Sequence, residues 1–232
     1  PVSREIPMPE DNLLENAKNG DIRAFHNLFA EFQPQLKSFL YRLLADRNDM
    51  EDIAHDVFIR AFEHLSHFRG DSSLKTWVFA IATNQAKKYL RDKNRWATDT
   101  LDRTRRLAHR DPHVMNLVDQ AHQHSPQRVY EIREHIDYCF TCTSKMLLIE
   151  QQIALILKNI YGFKIKEIAE ILKSTQSVVK HLLHDARQTM MSIFDNNCAF
   201  VSQQGVCNQC SELNGRFNPK QDQQVELMKI KM

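Results

Sequence analysis

Met50, Ile53, Ala54, Val57, Phe58, Ala61, Phe62 and Leu65 recur at the three- and four-residue steps that stack side chains on one side of an α-helix. A strand would send the same residues to both faces of a sheet and leave no single apolar side to bury. The interval returns in Phe25, Leu28, Phe29 and Phe32, and again in Leu36, Phe39, Leu40, Leu43 and Leu44 beyond Pro34. Five glycines and seven prolines among 232 residues advertise few turns, so the pattern predicts an all-α fold.

Asn48 followed by Glu51 reads as a capping box at the start of the eight-residue stripe. Gly70-Asp71 then breaks the chain, and Ser72 or Ser73 can cap a further helix with Leu74, Trp77, Val78, Ile81, Ala82 and Leu90 on its buried side. Trp77, at helical spacing with Leu74 and Ile81, reads as core rather than as a stacking wedge. Residues 97–125 lose the regular stripe and carry four histidines, which suits a flexible linker with one short helix around Val114–Ala121. Ser125-Pro126 reads as a cap with a first-turn proline, followed by an apolar edge of Val129, Ile132, Ile136 and Cys139. Two more stripes, Ile153/Ala154/Leu157/Ile160 and Ile165/Ile168/Ala169/Leu172, lead to a last long helix from about Gln176 to Phe194. The expected organisation is two small helical domains, at 12–96 and 126–194, with a cysteine-containing appendage at 195–232.

Apolar residues make up 42% and charged residues 26%, as in an ordinary globular chain. No apolar run approaches the roughly 18 residues of a membrane span, and no secretory leader precedes Asn12, so a cytoplasmic chain without membrane insertion is expected. The charge is unevenly placed. Residues 10–63 hold eleven acids against six bases, and residues 84–110 hold nine bases against three acids. Two solvated helix faces would account for this; so would a polyanion partner beside a basic protein.

KIKEIAEILKSTQSVVKHLLHDAR, residues 164–187, has the spacing of a helix-turn-helix. Ala169 is small where two helices must cross closely, and Val179 lies ten residues on. Lys173 stands in the turn where glycine is common, and Ser174 or Thr175 can cap the second helix.

Taken with EDIAHDVFIRAF and FRGDSSLKTWVFAIATNQAK, this order of motifs resembles the bacterial sigma-70 superfamily, in the small two-domain branch of extracytoplasmic function (ECF) sigma factors. The resemblance covers residues 12–95 and 126–194. It implies a subunit that binds core RNA polymerase and directs promoter recognition, melting and initiation. Phe68, Ser72 and Asn84 then match positions lining a pocket for a flipped base of the minus-ten element, with Lys87, Lys88, Arg91, Lys93 and Arg95 along the phosphates. Asp52, Asp56 and Arg60 match the surface that grips the β′ clamp helices, and the β flap is a further implied contact. Lys180, His181 and His184 fall at the major groove of the minus-thirty-five element, with Ser177 and Arg187 as phosphate contacts. Leu182 and Asp185 depart from the basic pattern common there. An anti-sigma factor is a further candidate partner.

Two other classes compete. A helix-turn-helix regulator acting without core polymerase would need neither the FRGDSS stretch nor the acidic third helix. An enzyme would need a phosphate-cradling glycine loop, a nucleophile elbow or paired carboxylates, and the sequence offers none, so no catalytic activity is expected. The cysteines stand apart. Cys139/Cys142 and Cys207/Cys210 form two Cys-x-x-Cys pairs, with 64 residues between them, that would suit one tetrahedral zinc or copper(I) site, with His135 and Cys198 as substitute ligands. A redox dithiol switch and incidental thiols are the other readings.

Overall fold

Asp21 starts the helix that follows it by accepting from the backbone N–H groups of Arg23 (2.8 Å) and Ala24 (3.2 Å). The computed structural model describes residues 10–93, 144 and 146–197, and every regular element among them is helical. Helix α1 (Glu10–Lys18) turns through Asn19-Gly20 into α2 (Ile22–Ala30). Then come α3 (Gln33–Leu44), α4 (Arg47–Glu63), a 3-10 turn (Leu65–His67) and α5 (Leu74–Asp92). The second group is α6 (Ile149–Asn159), α7 (Ile165–Ile171) and α8 (Gln176–Asn197).

The first group closes around rings. Phe25 and Phe29 from α2 meet Phe58 of α4, each at 5.1 Å between centroids, and Phe62 lies 5.5 Å from Phe25. Leu36, Phe39, Leu40 and Leu43 of α3 are fully covered beside Met50 and Val57 of α4. Pro34 sits in the first turn of α3, where its missing N–H has no helical partner to lose. The expected capping box of Asn48 and Glu51 is not what starts α4. Asp46 is the cap, accepting from Asn48 (2.9 Å) and Asp49 (3.0 Å), an interaction whose loss typically costs about 1 kcal/mol. Ser73, not Ser72, caps α5, through the Thr76 N–H at 3.1 Å.

The buried side of α5 also differs from expectation. Val78, Phe79, Ala82, Ala86 and Leu90 are buried, whereas Leu74, Trp77 and Ile81 are only partly covered. Apolar residues occupy adjacent positions here, so the stripe is wide, and packing against α3 and α4 favours the side that carries Phe79.

In the second group α7 and α8 form the helix-turn-helix, with Ala169 and Val179 both buried between them. Lys173 adopts a left-handed conformation (φ 51°) in the turn, and the Ser174 N–H reaches back to the Ala169 carbonyl at 2.9 Å. A lysine thus fills the place of the usual glycine, at a conformational cost of about 1–2 kcal/mol. Thr175, rather than Ser174, receives the Val178 N–H.

The two groups share an apolar seam. α7 packs on α5 and α6 on α3, and Phe79 lies 5.0 Å from Phe163 and 6.1 Å from Tyr161. The short helix expected near 114–121, the apolar edge at 129–139 and all five cysteines lie outside the described residues. No helix of the described residues is long and apolar enough to cross a membrane.

Candidate nucleic-acid interface

Gly70 holds the loop between the 3-10 turn and α5 at φ 80°, a conformation that disfavours any side chain although open space lies where a Cβ would go. The loop and the outer side of α5 enclose a cleft of about 470 Å³. Phe68, Ser72, Trp77, Ile81 and Asn84 line it from the first group, and Glu170 and Lys173 line it from the second. Phe68 and Trp77 meet at 5.4 Å with their planes tilted by 46°. Phe68 is 6% exposed, so it serves as a floor, while half-buried Trp77 presents more of its surface. The side chains at the other positions grade outward, from half-buried Ser72 to exposed Asn84.

Beyond Asn84, α5 continues as a cationic ridge. Lys88, Arg91 and Lys93 are exposed. Lys87 is half-buried and pairs with Glu150 at 2.6 Å, and Arg95 lies outside the described residues. Lys75, earlier on the helix, points its ammonium over Phe163 at 5.0 Å; burial lowers its pKa, and the Glu167 carboxylate partly restores it.

On α8, Ser177, Lys180, His181, His184 and Arg187 are all exposed, opposite buried Val179, Leu183, Ala186 and Met190. One face of a single helix therefore carries every residue expected at a major groove, as the (i, i+3, i+4) spacing requires. Leu182 is half-buried against the core, which accounts for an apolar residue at that position. On α4, Asp52, Asp56 and Arg60 are exposed along one side, with exposed Ile59 beside them. Among the described residues no group of three or more His, Cys, Asp or Glu side chains could hold a metal; Cys139, Cys142, Cys207 and Cys210, with His135 and Cys198, lie outside them.

Residues 28–96 match the family model of sigma-70 region 2, and residues 139–190 match that of sigma-70 region 4. The ECF RNA polymerase sigma factor SigX of Bacillus subtilis is 31% identical over 69% of this chain and 78% of its own length. The RNA polymerase sigma-H factor of Pseudomonas aeruginosa is 28% identical over 78% of this chain and 91% of its own. The chain belongs to the sigma-70 family, in its ECF branch. Among solved structures, CnrH in complex with the cytosolic domain of CnrY superimposes with a TM-score of 0.55 at 20% identity, over 80% of this chain and 97% of that one. The sigma factor RpoE of Bartonella quintana, solved with the anti-sigma factor NepR, gives 0.51 at 19% identity, over 74% and 97%. Both share the fold.

For this sigma factor, the structure brings Phe68, Ser72 and Asn84 to one cleft and sets the α8 residues apart on their own face. Trp77 and Ile81, expected on the buried side of α5, do pack against the core, but they are only partly covered and also line the cleft, a role their spacing does not reveal. Two signals could have found Trp77: a charged Lys75 and a polar Thr76 precede it, and its partner Phe68 lies just before the Gly70 break. Glu170 and Lys173 had no local signal, since they reach the cleft only through tertiary packing.

Proposed function

We propose that this sigma factor binds core RNA polymerase in the cytoplasm and, with it, recognises and melts the minus-ten element of a restricted set of promoters. The observation that carries the reading is the cleft beside Gly70, where Trp77 and Phe68 offer apolar surfaces and Asn84 an amide at the rim. Stacking of a base on such rings contributes about 1–3 kcal/mol, enough to offset much of the few kcal/mol that unpairing it costs. Lys88, Arg91 and Lys93 are free of the cleft itself and suit the phosphates that follow. The exposed row of α8 takes the minus-thirty-five element, and the Asp52, Asp56 and Arg60 face of α4 takes the β′ clamp helices, with the β flap engaged by the second group. The protein contributes positioning and melting and has no catalytic step of its own. An anti-sigma factor is a fitting regulator, since RpoE of Bartonella quintana is solved with one. The two Cys-x-x-Cys pairs are assigned to one zinc ion on ligand chemistry and spacing, with metal or redox state modulating activity.

The test is transcription by purified core enzyme plus this protein on genomic DNA, with start sites mapped. Discrete new starts are expected. Asn84→Ala should reduce promoter opening on those templates several-fold while binding core as the wild type does. Equal open-complex formation by the two proteins would sink the cleft assignment. Tight duplex binding without core, and no new starts, would instead indicate a regulator that works alone.

A further inference from the structure

We infer that Lys18, at the end of α1, is a positioning residue for promoter melting: its ammonium holds the Phe68 ring from outside the cleft, and with it the Phe68–Trp77 pair on which an unstacked base rests. The inference rests on the reading of the cleft as a base pocket. Lys18 has no part in that reading, since α1 precedes residues 28–96, the stretch that matches sigma-70 region 2.

The loop at the cleft has little to hold it. The Phe68 N–H donates to the Leu65 carbonyl at 3.0 Å, and regular backbone bonding resumes only where the Trp77 N–H meets the Ser73 carbonyl, also at 3.0 Å. Between them Arg69 and Asp71 pair at 3.2 Å, but both are well exposed, and such a pair contributes little. The loop is therefore anchored at its apolar end. Phe68 is the anchor, covered by its neighbours and 5.4 Å from Trp77 between ring centroids.

Lys18 makes a second contact with that ring. Its Nζ lies over Phe68, 5.8 Å from the centroid, within reach of a cation–π attraction. α1 packs against the 3-10 turn that leads into Phe68, so the backbones on both sides fix the approach. The side chain is half-buried and is not one of the residues lining the cleft. Among the described residues it forms no ion pair with a carboxylate. An ammonium that has lost part of its water and has no carboxylate beside it is held more firmly by a ring face than a fully hydrated one. Stacking benefits directly, because every alternative orientation of Phe68 dilutes the arrangement that receives the base. Lys18 has a competing use, since a cation in the last turn of α1 complements the helix dipole. That use concerns the stability of α1 and does not depend on Phe68.

The test uses core enzyme plus the full chain on a template with a mapped start site, and counts open complexes by permanganate reactivity of unpaired thymines. Lys18→Met keeps the length and the apolar stem and removes the charge. It should lower open-complex formation about threefold while binding core as the wild type does, and Lys18→Arg, which keeps a cation over the ring, should restore it. A double-mutant cycle then separates action through the ring from every other action. Phe68→Leu alone should reduce opening, and Lys18→Met added to it should bring no further loss. The same threefold loss in both backgrounds would overturn the inference, because Lys18 would then act on DNA or on α1 and not on Phe68. Salt dependence gives a second measure that leaves Phe68 intact. Binding of a minus-ten single strand by the core-bound chain should keep its slope against log salt in Lys18→Met. A slope smaller by about 0.7, the value for one lost contact to a single strand, would make Lys18 a phosphate ligand and remove the positioning role. Full opening by Lys18→Met where Asn84→Ala fails would dismiss Lys18 alone. Full opening by both Asn84→Ala and Phe68→Leu would dismiss the base pocket, and the role of Lys18 with it.

Discussion

Burial pushes the Tyr161 phenol above its ordinary pKa of 10.0, while the Arg42 guanidinium beside it and the hydrogen bond to Ser38 pull in the opposite direction. The sign of the consequence is fixed. Above pH 10.0 the unfolded chain loses this proton first, so the folded state binds more protons and stability falls as pH rises. Tyr161→Phe should remove that part of the alkaline loss, and should cost about 1 kcal/mol at neutral pH through the lost hydrogen bond. Urea melts of both proteins at pH 7 and above pH 10 measure the two effects. Parallel loss of stability in wild type and variant across that range would remove the alkaline role of this hydroxyl. At the same scale, the sequence offered two serines before α5 and two hydroxyls before α8, and could not choose between them. The choice is made by where the first turn begins, and packing of α5 and α8 sets that, leaving Ser73 and Thr175 in the capping positions.

Element by element, the apolar periods located the helices well and their orientation less well. α4 was read with its stripe intact, because Asp52, Asp56 and Arg60 leave one side unmistakably polar. On α5 the expected Val78, Ala82 and Leu90 are buried, but the buried side extends further toward Phe79 and Ala86 and leaves Leu74, Trp77 and Ile81 only partly covered, because Trp77 and Val78, then Ile81 and Ala82, offer two adjacent apolar edges. Only the rings of Phe39 and Phe163 show which edge is inside. α1 was not recognised as a helix; it is nine residues long and buries chiefly Ala17 against its neighbours. The polar side of α4 carries its own prediction. Asp52→Lys/Asp56→Lys alters exposed positions, so the melting temperature should stay close to that of the wild type. Copurification with core polymerase should nonetheless be lost, since two reversed charges oppose a basic partner. Retained copurification would move the polymerase contact elsewhere on the molecule.

At the scale of the whole molecule, the seam between the two groups was the least legible feature, because Phe79, Tyr161 and Phe163 each read locally as ordinary apolar positions. Their pairing is a long-range fact that no periodicity carries. The cysteine pairs pose the same difficulty in reverse: the spacing is visible, and what joins the pairs is not. If Cys139, Cys142, Cys207 and Cys210 hold one zinc ion, they close a chain segment with 64 residues between the pairs around α6, α7 and α8. Closing a loop of that length removes unfolded-state entropy of about (3/2)RT ln n beyond a constant, which is on the order of 4 kcal/mol. Part of the binding free energy of the ion would also appear as folding free energy. Purified protein should therefore carry about one zinc per chain by elemental analysis, and Cys142→Ser/Cys207→Ser should abolish it. A strong chelator should lower the melting temperature of the wild type and leave that of the variant unchanged. Metal-free protein with four freely reactive thiols would exclude the site. If zinc is present and its removal leaves start-site usage on genomic DNA unaltered, the ion braces the second group without regulating the promoter.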